Sequence, residues 1–250
     1  MGSIATTLRP RFLRPGWAGG LSYDRKYFLA LRKLRNWRPN DLILDVGAND
    51  GRTVHRLMAC LPKPHVVAFE PASETFQRLS QAVAEYPNVE CVQVALSATS
   101  GEGKIHLNPS PALNSLEAGW CANNHGSETV RLDTLDRFLA QRGCREVALL
   151  KIDAEGHDLE VLRGAQESLM AGAIELIQVE AGFRAPGRPQ PSLESFQDLL
   201  SPFDYYLYGI FNQCRANLAK RMAEPEHINR SANVLVYCDA LFVRGGNPAL

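Results

Sequence analysis

The sequence has few cysteines, no long hydrophobic run and no excess of either charge. Its six cysteines form no C-x-x-C pair and lie at least about twenty positions apart, which gives no support for a metal cluster or a disulfide framework. We therefore expect buried, reduced thiols. No run of 18 or more apolar residues occurs, and the N-terminus lacks an apolar secretory segment, so stable membrane insertion is not expected and a cytoplasmic protein is the default expectation.

The charges balance, with 27 basic and 27 acidic residues. This balance gives no electrostatic reason to expect nucleic acid or an anionic membrane as an obligate partner. It does not bear on association of two copies of the chain, so a homodimer stays an open alternative. Basic residues do gather in the first forty positions, where a solvated helix face and a loose terminus are favoured over a functional patch. We predict an N-terminal irregular segment and helix over residues 1–38 and one larger domain over 39–250.

Strand and helix patterns alternate from residue 42 onward, which indicates parallel strands joined by helical crossovers. The last two predicted strands, 205–210 and 234–243, have no helix between them and are expected to pair antiparallel. The fold class that follows is α/β, a Rossmann-like, doubly wound, mostly parallel seven-stranded sheet with a C-terminal antiparallel strand pair and helices on both faces. Before that pair the pattern predicts strands at 42–46, 66–69, 89–95, 147–152 and 174–179, and helices at 23–37, 53–60, 73–85, 130–139, 159–170 and 193–200.

The periodicity fails between residues 97 and 127, where Pro, Asn, Ser and Gly are frequent and only a short strand at 104–107 is predicted. Long irregular insertions in compact domains are usually functional or disordered, and Trp120 favours a functional insertion. Asn114, Ser115 and Trp120 are candidates to close over a ligand or to pack against a sugar. A local hydrophobic clasp is the equally favoured alternative.

The most informative stretch runs from Asp45 to Gly51, after the first apolar strand. Gly47 and Gly51 allow positive φ angles and a close approach of the backbone to a ligand. Glu70 ends the next strand about 20 residues later, where a carboxylate accepts hydrogen bonds from ribose hydroxyls. This arrangement predicts a nucleoside-binding crossover, against the alternative of an ordinary capped strand-to-helix turn.

The charge of this turn distinguishes between the nucleoside cofactors. A dinucleotide site uses G-x-G-x-x-G, but the spacing here is D-x-G-x-x-x-G, and Asp45 and Asp50 would repel a pyrophosphate. S-adenosylmethionine carries an ammonium and a sulfonium and no phosphate, so an acidic turn complements it. We therefore predict S-adenosylmethionine as the cofactor.

A second acidic segment follows the central strand at 147–152. Asp153 is the first choice for a general base or acceptor of a substrate hydroxyl, with a structural carboxylate as the even alternative. Glu155 is a candidate to bind substrate or the cofactor's ammonium, with an acidic residue of a first helical turn as the equally favoured alternative. His157 is a candidate base, although a surface histidine is the commoner outcome. Lys151 lies within the apolar strand, so its charge requires a buried partner. Asp153, Glu155 and a distant carboxylate would suffice for a hard cation, but no spacing demands one, so no metal is predicted.

With these segments in order, the chain resembles the FkbM family of class I S-adenosylmethionine-dependent methyltransferases. The resemblance covers roughly residues 42–180, and the motifs that carry it are Asp45-Val46-Gly47-Ala48-Asn49-Asp50-Gly51, Phe69-Glu70-Pro71, Val94-Ala95-Leu96-Ser97, Leu132-Asp133-Thr134-Leu135-Asp136 and Lys151-Ile152-Asp153-Ala154-Glu155-Gly156.

The resemblance implies roles for individual residues. Asp45, Gly47 and Asn49 would line the methionine end of the cofactor. Glu70, followed by Pro71, would bind the ribose hydroxyls. Ala95 and Leu96 would lie near the adenine.

The resemblance also implies a reaction, because members of this family mostly methylate hydroxyl oxygens of sugars, glycolipids or polyketides. The implied acceptor is therefore a small molecule or glycan with a free hydroxyl. Two alternatives remain open from the sequence, a NAD-dependent oxidoreductase that uses the same crossover and a catalytically inactive nucleoside-binding scaffold.

Overall fold

The computed structural model describes residues 21–118, 125–144, 146–183, 190–217 and 233–247. The helices within them are α1 (Leu21–Leu34), α2 (Arg52–Cys60), α3 (Ser73–Ala82), α4 (Leu135–Arg142), α5 (Asp158–Arg163), α6 (Gln166–Met170) and α7 (Leu193–Leu200). The strands are β1 (Leu42–Val46), β2 (His65–Phe69), β3 (Val89–Val92), β4 (Ala95–Leu96), β5 (Gly101–His106), β6 (Ser127–Asp133), β7 (Val147–Ile152), β8 (Ile174–Gly182), β9 (Tyr205–Asn217) and β10 (Asn233–Arg244).

The main sheet has seven strands in the order β3-β2-β1-β7-β8-β10-β9. The first five of these pair in parallel, and β10 is antiparallel to both β8 and β9. The predicted fold class, including the C-terminal antiparallel pair, is therefore confirmed. The strand order reverses between β1 and β7, and ligands bind at such a switch point beyond the carboxyl ends of the strands.

Two hydrophobic clusters pack on opposite faces of this sheet. One face is covered by α1, α2 and α3, and the other mainly by α4 to α7. Adjacent residues of a strand contribute to different clusters, as Ile43 and Leu44 of β1 do. All six residues of β7 are buried, as expected for a central parallel strand covered on both sides.

Helix α1 contributes Leu31 and Leu34, both essentially unexposed, to the same cluster as Ile43. This helix therefore packs on the main sheet, while residues 1–20 lie outside the described part of the chain. The division of the sequence at residue 38 stays a prediction.

The structure corrects the sequence prediction between residues 89 and 139. β4, β5 and β6 form a second, three-stranded sheet, whereas the sequence predicted one strand over 89–95 and an irregular insertion with a single short strand at 104–107. Residues 104–106 of that short strand are found within β5. The predicted helix at 130–139 is wrong over its first four residues, which belong to β6. There Val130 is buried and Arg131 is exposed, which is the alternation of a strand. The helix begins only at Leu135, because Thr134 is its N-cap and the Thr134 hydroxyl accepts from the N–H of Arg137 at 3.2 Å.

The predicted helix at 159–170 is divided into α5 and α6 near Gly164. A Cβ atom at Gly164 would lie 2.1 Å from the carbonyl oxygen of Ser97, so only glycine permits this close contact. Asp136 supplies the cap of α6, accepting from the backbone N–H groups of Glu167 and Ser168.

Two further observations concern the surface and the thiols. Among the described residues, no helix combines the length and the apolar character needed to cross a membrane. Five cysteines have free thiols, namely Cys60, Cys91, Cys144, Cys214 and Cys238, and Cys121 lies outside the described residues.

Candidate active site

The turn after β1 is shaped by residues with positive φ angles. Gly47 has φ of 76°, Asn49 of 48° and Gly51 of 80°. A Cβ atom at Gly47 would lie 2.0 Å from the carbonyl oxygen of Asp153, so the turn directly contacts the end of β7. A side chain at position 47 would therefore separate the two strand ends that meet at the switch point.

Glu70 closes the opposite side of this turn. Its Oε2 accepts from the N–H of Asn49 at 3.0 Å, and its Oε1 accepts from the N–H of Ala72 at 3.0 Å. Burial raises the pKa of Glu70 to about 7, although these two backbone N–H groups favour the ionised form. The carboxyl group is thus held in one orientation and titrates near neutral pH.

A cleft lies above these strand ends and contains about 720 Å³ of empty space, part of it open to solvent. The sequence-predicted residues that line it are Gly47, Asn49, Glu70, Pro71, Ala95, Leu96, Asp153, Glu155 and His157. The structure therefore brings together residues from four separate motifs.

Asp45 and Gly51, also predicted as cofactor residues, do not line this cleft. Asp45 is completely buried, and its Oδ1 lies 3.0 Å from Nζ of Lys151. A Cβ atom at Gly51 would lie 2.9 Å from Cγ1 of Val83, so this glycine allows the turn to pack closely on the helix that precedes Val83. Both residues therefore stabilise the turn from its buried side, away from the cleft.

The Asp45–Lys151 contact confirms the predicted ion pair of Lys151. The same Nζ lies 3.4 Å from Oδ2 of Asp153, whose side chain is 42% exposed. Burial by itself lowers the pKa of Lys151, but the carboxylates of Asp45 and Asp153 outweigh this effect and raise it. Lys151 therefore stays protonated and orients Asp153 at the edge of the cleft.

His157 uses both of its ring nitrogens in contacts within the protein. Nδ1 lies 2.8 Å from Oε1 of Glu117, and Nε2 lies 2.9 Å from Oγ of Ser97. With a neutral ring, an N–H at Nδ1 donates to Glu117 and the hydroxyl of Ser97 donates to Nε2. His157 would have to release Ser97 before accepting a proton from a substrate, so this geometry favours a positioning role.

Sequence reasoning missed Ser97 and Glu117 as partners of His157. Ser97 follows Leu96 in a quoted motif, which is the one signal available for it. Glu117 lies in the segment that was predicted to be irregular, and no spacing connects it with His157.

The inserted segment forms one wall of the cleft. Pro111, Ala112, Asn114, Ser115 and Leu116 line it. The hydroxyl of Ser115 donates to the carbonyl oxygen of Glu155 at 2.7 Å, which fastens the segment to the turn after β7. Asn114 and Ser115 thus line the cleft, and their contact with a ligand stays a prediction. Trp120 lies outside the described residues.

Among the described residues, no group of three or more His, Cys, Asp or Glu side chains is arranged to hold a metal ion.

Comparison with known proteins places this geometry in context. Residues 45–209 match the model of the methyltransferase FkbM domain. The chain is 31% identical over 144 residues to the hexuronic acid methyltransferase AglP of Haloferax volcanii, and the match covers 57% of each chain. It is 24% identical over 184 residues to the 2-O-methyltransferase NoeI of Sinorhizobium fredii, covering 67% of this chain and 74% of that protein.

A solved structure supports the fold independently. A proposed sarcosine dimethylglycine methyltransferase from Galdieria sulphuraria aligns over 88% of this chain and 83% of its own, with a TM-score of 0.50 and 11% identity. At that identity the likeness concerns the fold alone. The family match spans most of the main sheet and includes every residue that lines the cleft. The chain therefore belongs to the FkbM family of methyltransferases.

Proposed function

We propose that this protein transfers a methyl group from S-adenosylmethionine to a hydroxyl oxygen of a sugar, glycolipid or secondary metabolite. One observation carries the proposal: the glycine turn, Glu70 and Asp153 open into the same cleft at the switch point of the sheet. The two curated relatives support an oxygen acceptor, since one is named for hexuronic acid and the other for 2-O-methylation. A balanced net charge supports a small-molecule or glycan acceptor over nucleic acid.

The residues of the cleft suit S-adenosylmethionine. Gly47 lacks the Cβ atom that would meet the carbonyl oxygen of Asp153, so the glycine turn and the end of β7 stay in contact at the cleft. Glu70 offers carboxylate oxygens to ribose hydroxyls, and Ala95, Leu96 and Leu116 provide apolar surface for adenine. When bound, S-adenosylmethionine supplies an electrophilic methyl group on a sulfonium. The protein must align the acceptor with it and exclude water.

Asp153 is the residue that we propose as the acceptor of the hydroxyl proton. An alcohol must lose its proton as the new bond forms, and a carboxylate within hydrogen-bond reach serves this purpose. Asp153 borders the cleft, is partly open to solvent and is oriented by Lys151. Its position at the end of β7 is where bound ligands are expected in such sheets.

Replacing Asp153 with asparagine is expected to lower the turnover number at least about 100-fold, as for the loss of a general base. The affinity for S-adenosylhomocysteine should change by no more than about twofold, because the amide keeps the size of the side chain and Asp153 is assigned to the acceptor. Turnover is measured by methyl transfer and affinity by calorimetric titration. Asp198→Asn, on the exposed side of α7, is the matched control. A loss confined to cofactor affinity would make Asp153 a cofactor ligand instead.

Calorimetric titration with S-adenosylhomocysteine and with NAD tests the proposal against its alternatives. The methyltransferase requires binding of S-adenosylhomocysteine and methyl transfer to a hydroxylated acceptor. Binding of NAD alone would favour the oxidoreductase. Tight binding of S-adenosylmethionine without methyl release on any acceptor would favour the inactive scaffold.

Cofactor affinity is expected to depend on the protonation of Glu70. With a pKa of about 7, Glu70 is mostly protonated at pH 6 and mostly ionised at pH 8. If the ionised form binds ribose, S-adenosylhomocysteine should bind about tenfold more weakly at pH 6 than at pH 8. Glu70→Ala should cost about 1.5 to 3 kcal/mol at pH 8, as for a hydrogen bond to a charged group.

Glu70→Gln separates this effect from other titrating groups. It keeps the shape of the side chain but does not ionise, so the tenfold dependence should disappear from the calorimetric data. An unchanged pH dependence in this variant would assign the titration to another group. Unchanged affinity in folded Glu70→Ala would remove the ribose role.

A further inference from the structure

The carboxyl edge of the sheet continues beyond Asp153 with polar groups that methyl transfer, as proposed above, does not use. Ile152 of β7 pairs in parallel with Val179 of β8, so Asp153 and Glu180 come next on the two neighbouring strands. Glu180 pairs in turn with Asp239 of β10. Three adjacent strands therefore each carry a carboxyl-bearing residue here, and Glu180 and Asp239 lie on the side of Asp153 away from the glycine turn.

Gln190 is held against Glu180 by the chain that returns to the sheet. The N–H of Gly182 donates to the carbonyl oxygen of Pro191 at 2.8 Å, and a Cβ atom at Gly182 would lie only 3.1 Å from Cβ of Gln190. The amide nitrogen of Gln190 donates to Oε2 of Glu180. The absence of a side chain at position 182 thus leaves the space in which Gln190 sits.

The amide oxygen of Gln190 lacks a hydrogen-bond partner among the described residues, and this indicates a ligand. Gln190 is only 8% exposed, and its Oε1 is buried without a hydrogen-bond partner among the described residues. Buried polar atoms are nearly always paired, because leaving one unpaired costs free energy. A hydroxyl donor of a bound molecule would satisfy this oxygen. A second amide–carboxyl pair lies on the next strands, where Nδ2 of Asn212 donates to Oδ2 of Asp239 at 2.5 Å.

The charge of this edge restricts which molecule fits. Burial, together with the nearby carboxyl groups of Asp153, Glu155 and Asp158, raises the pKa of Glu180 well above its usual range. In the protonated form that this shift favours, Glu180 carries an O–H donor as well as an acceptor oxygen. The buried ammonium of Lys151 is already paired with Asp45 and Asp153. A ligand carboxylate here would be disfavoured by the same burial and the same neighbouring carboxyl groups that raise the pKa of Glu180.

We propose that Glu180 and Gln190, beside Asp153, bind the methyl acceptor, and that this acceptor presents uncharged sugar hydroxyls there rather than the carboxylate of a uronic acid. The inference rests on the proposed methyltransferase function and deepens it. Neutral acid and amide groups offer paired donors and acceptors to adjacent hydroxyls. Sites built in this way discriminate strongly against a ligand that leaves their polar groups unpaired.

The test compares the binding of methyl glucopyranoside with that of methyl glucopyranosiduronate. Both are measured on the full protein saturated with S-adenosylhomocysteine. Calorimetry and saturation-transfer NMR measure binding without turnover. The glucoside is expected to bind at least tenfold more tightly than the uronide. Equal or tighter binding of the uronide, or binding of neither glycoside, would overturn the inference. Failure of S-adenosylhomocysteine itself to bind would instead refute the proposed function, so the two failures are distinguishable.

Variants of the two residues locate the site. Glu180→Ala and Gln190→Ala should each weaken glucoside binding at least tenfold and leave the dissociation constant of S-adenosylhomocysteine within twofold. Glu180→Gln, similar in shape to a protonated glutamic acid, should retain glucoside binding within threefold. Glu167→Gln, on the exposed face of α6, is the control and should leave both affinities unchanged. Glucoside binding that survives Glu180→Ala and Gln190→Ala, or is lost in Glu180→Gln, would overturn the assignment.

Discussion

Replacing Gly47 with alanine is expected to abolish binding of S-adenosylhomocysteine and to destabilise the fold by about 3 kcal/mol or more. Two effects combine at this position. Alanine is strained at a φ of 76°, and its Cβ atom would lie 2.0 Å from the carbonyl oxygen of Asp153. Because that oxygen belongs to the backbone, no rotamer change relieves the clash, and the ends of β1 and β7 must separate. Urea denaturation and calorimetric titration measure the two losses.

Gly143→Ala is the matched control for this substitution. Gly143 ends α4 with a φ of 62°, and nothing lies within 4 Å of the position that its Cβ atom would take. Alanine there should cost only about 1 to 2 kcal/mol for the left-handed conformation and leave cofactor affinity unchanged. Equal losses in the two variants would mean that the contact between Gly47 and Asp153 contributes nothing beyond the φ angle.

The parts of the fold that could be predicted are those in which short-range patterns agree with the tertiary structure. β1 is found at the predicted residues because its apolar run is buried on both faces. β7 is found as predicted for the same reason. The antiparallel partners β9 and β10 followed from the absence of a helical pattern between them. In each case a local signal was sufficient.

The second sheet could not be predicted in the same way. β6 and α4 are joined through Thr134 alone, so the apolar residues of the strand and of the helix merge into one apparent helical pattern. β5 is half exposed and begins with two glycines in three residues, which weakens its strand signal, so only its last three residues were predicted, within the short strand at 104–107. What stabilises β5 is its antiparallel pairing with β6, a contact made across the insertion. The residue pattern of a strand does not show which distant segment pairs with it.

The site shows the same division between local and distant information. Glu70 was predicted from its spacing to the glycine turn, and it does line the cleft. Asp45 belongs to the same turn, but its side chain is buried against Lys151, far along the chain. The hydrogen bonds from His157 to Ser97 and Glu117 likewise join three separate segments. Spacing identified the residues of the motifs, and only the packed structure separates those facing the cleft from those supporting it.

Replacing Lys151 with methionine is expected to lower the free energy of unfolding by about 3 to 5 kcal/mol, the usual cost of removing one partner of a buried ion pair. Methionine matches lysine in length and is suited to a buried strand, so little of the loss comes from packing. The cost arises because Asp45, completely buried, keeps a carboxylate without its nearest cation. Urea denaturation at neutral pH measures the difference.

The double variant Asp45→Asn/Lys151→Met tests whether the uncompensated carboxylate is the cause. With both charges removed, most of the lost stability should return, and the energies of the single variants should not be additive. Arg78→Met provides the surface comparison, because Arg78 pairs with Glu74 on the solvent-facing side of α3 and should contribute no more than about 1 kcal/mol. The ion-pair explanation fails if Lys151→Met loses no more unfolding free energy than Arg78→Met, or if the double variant regains none of it. Lys151 would then stabilise this edge by packing alone, and some other group would have to orient Asp153.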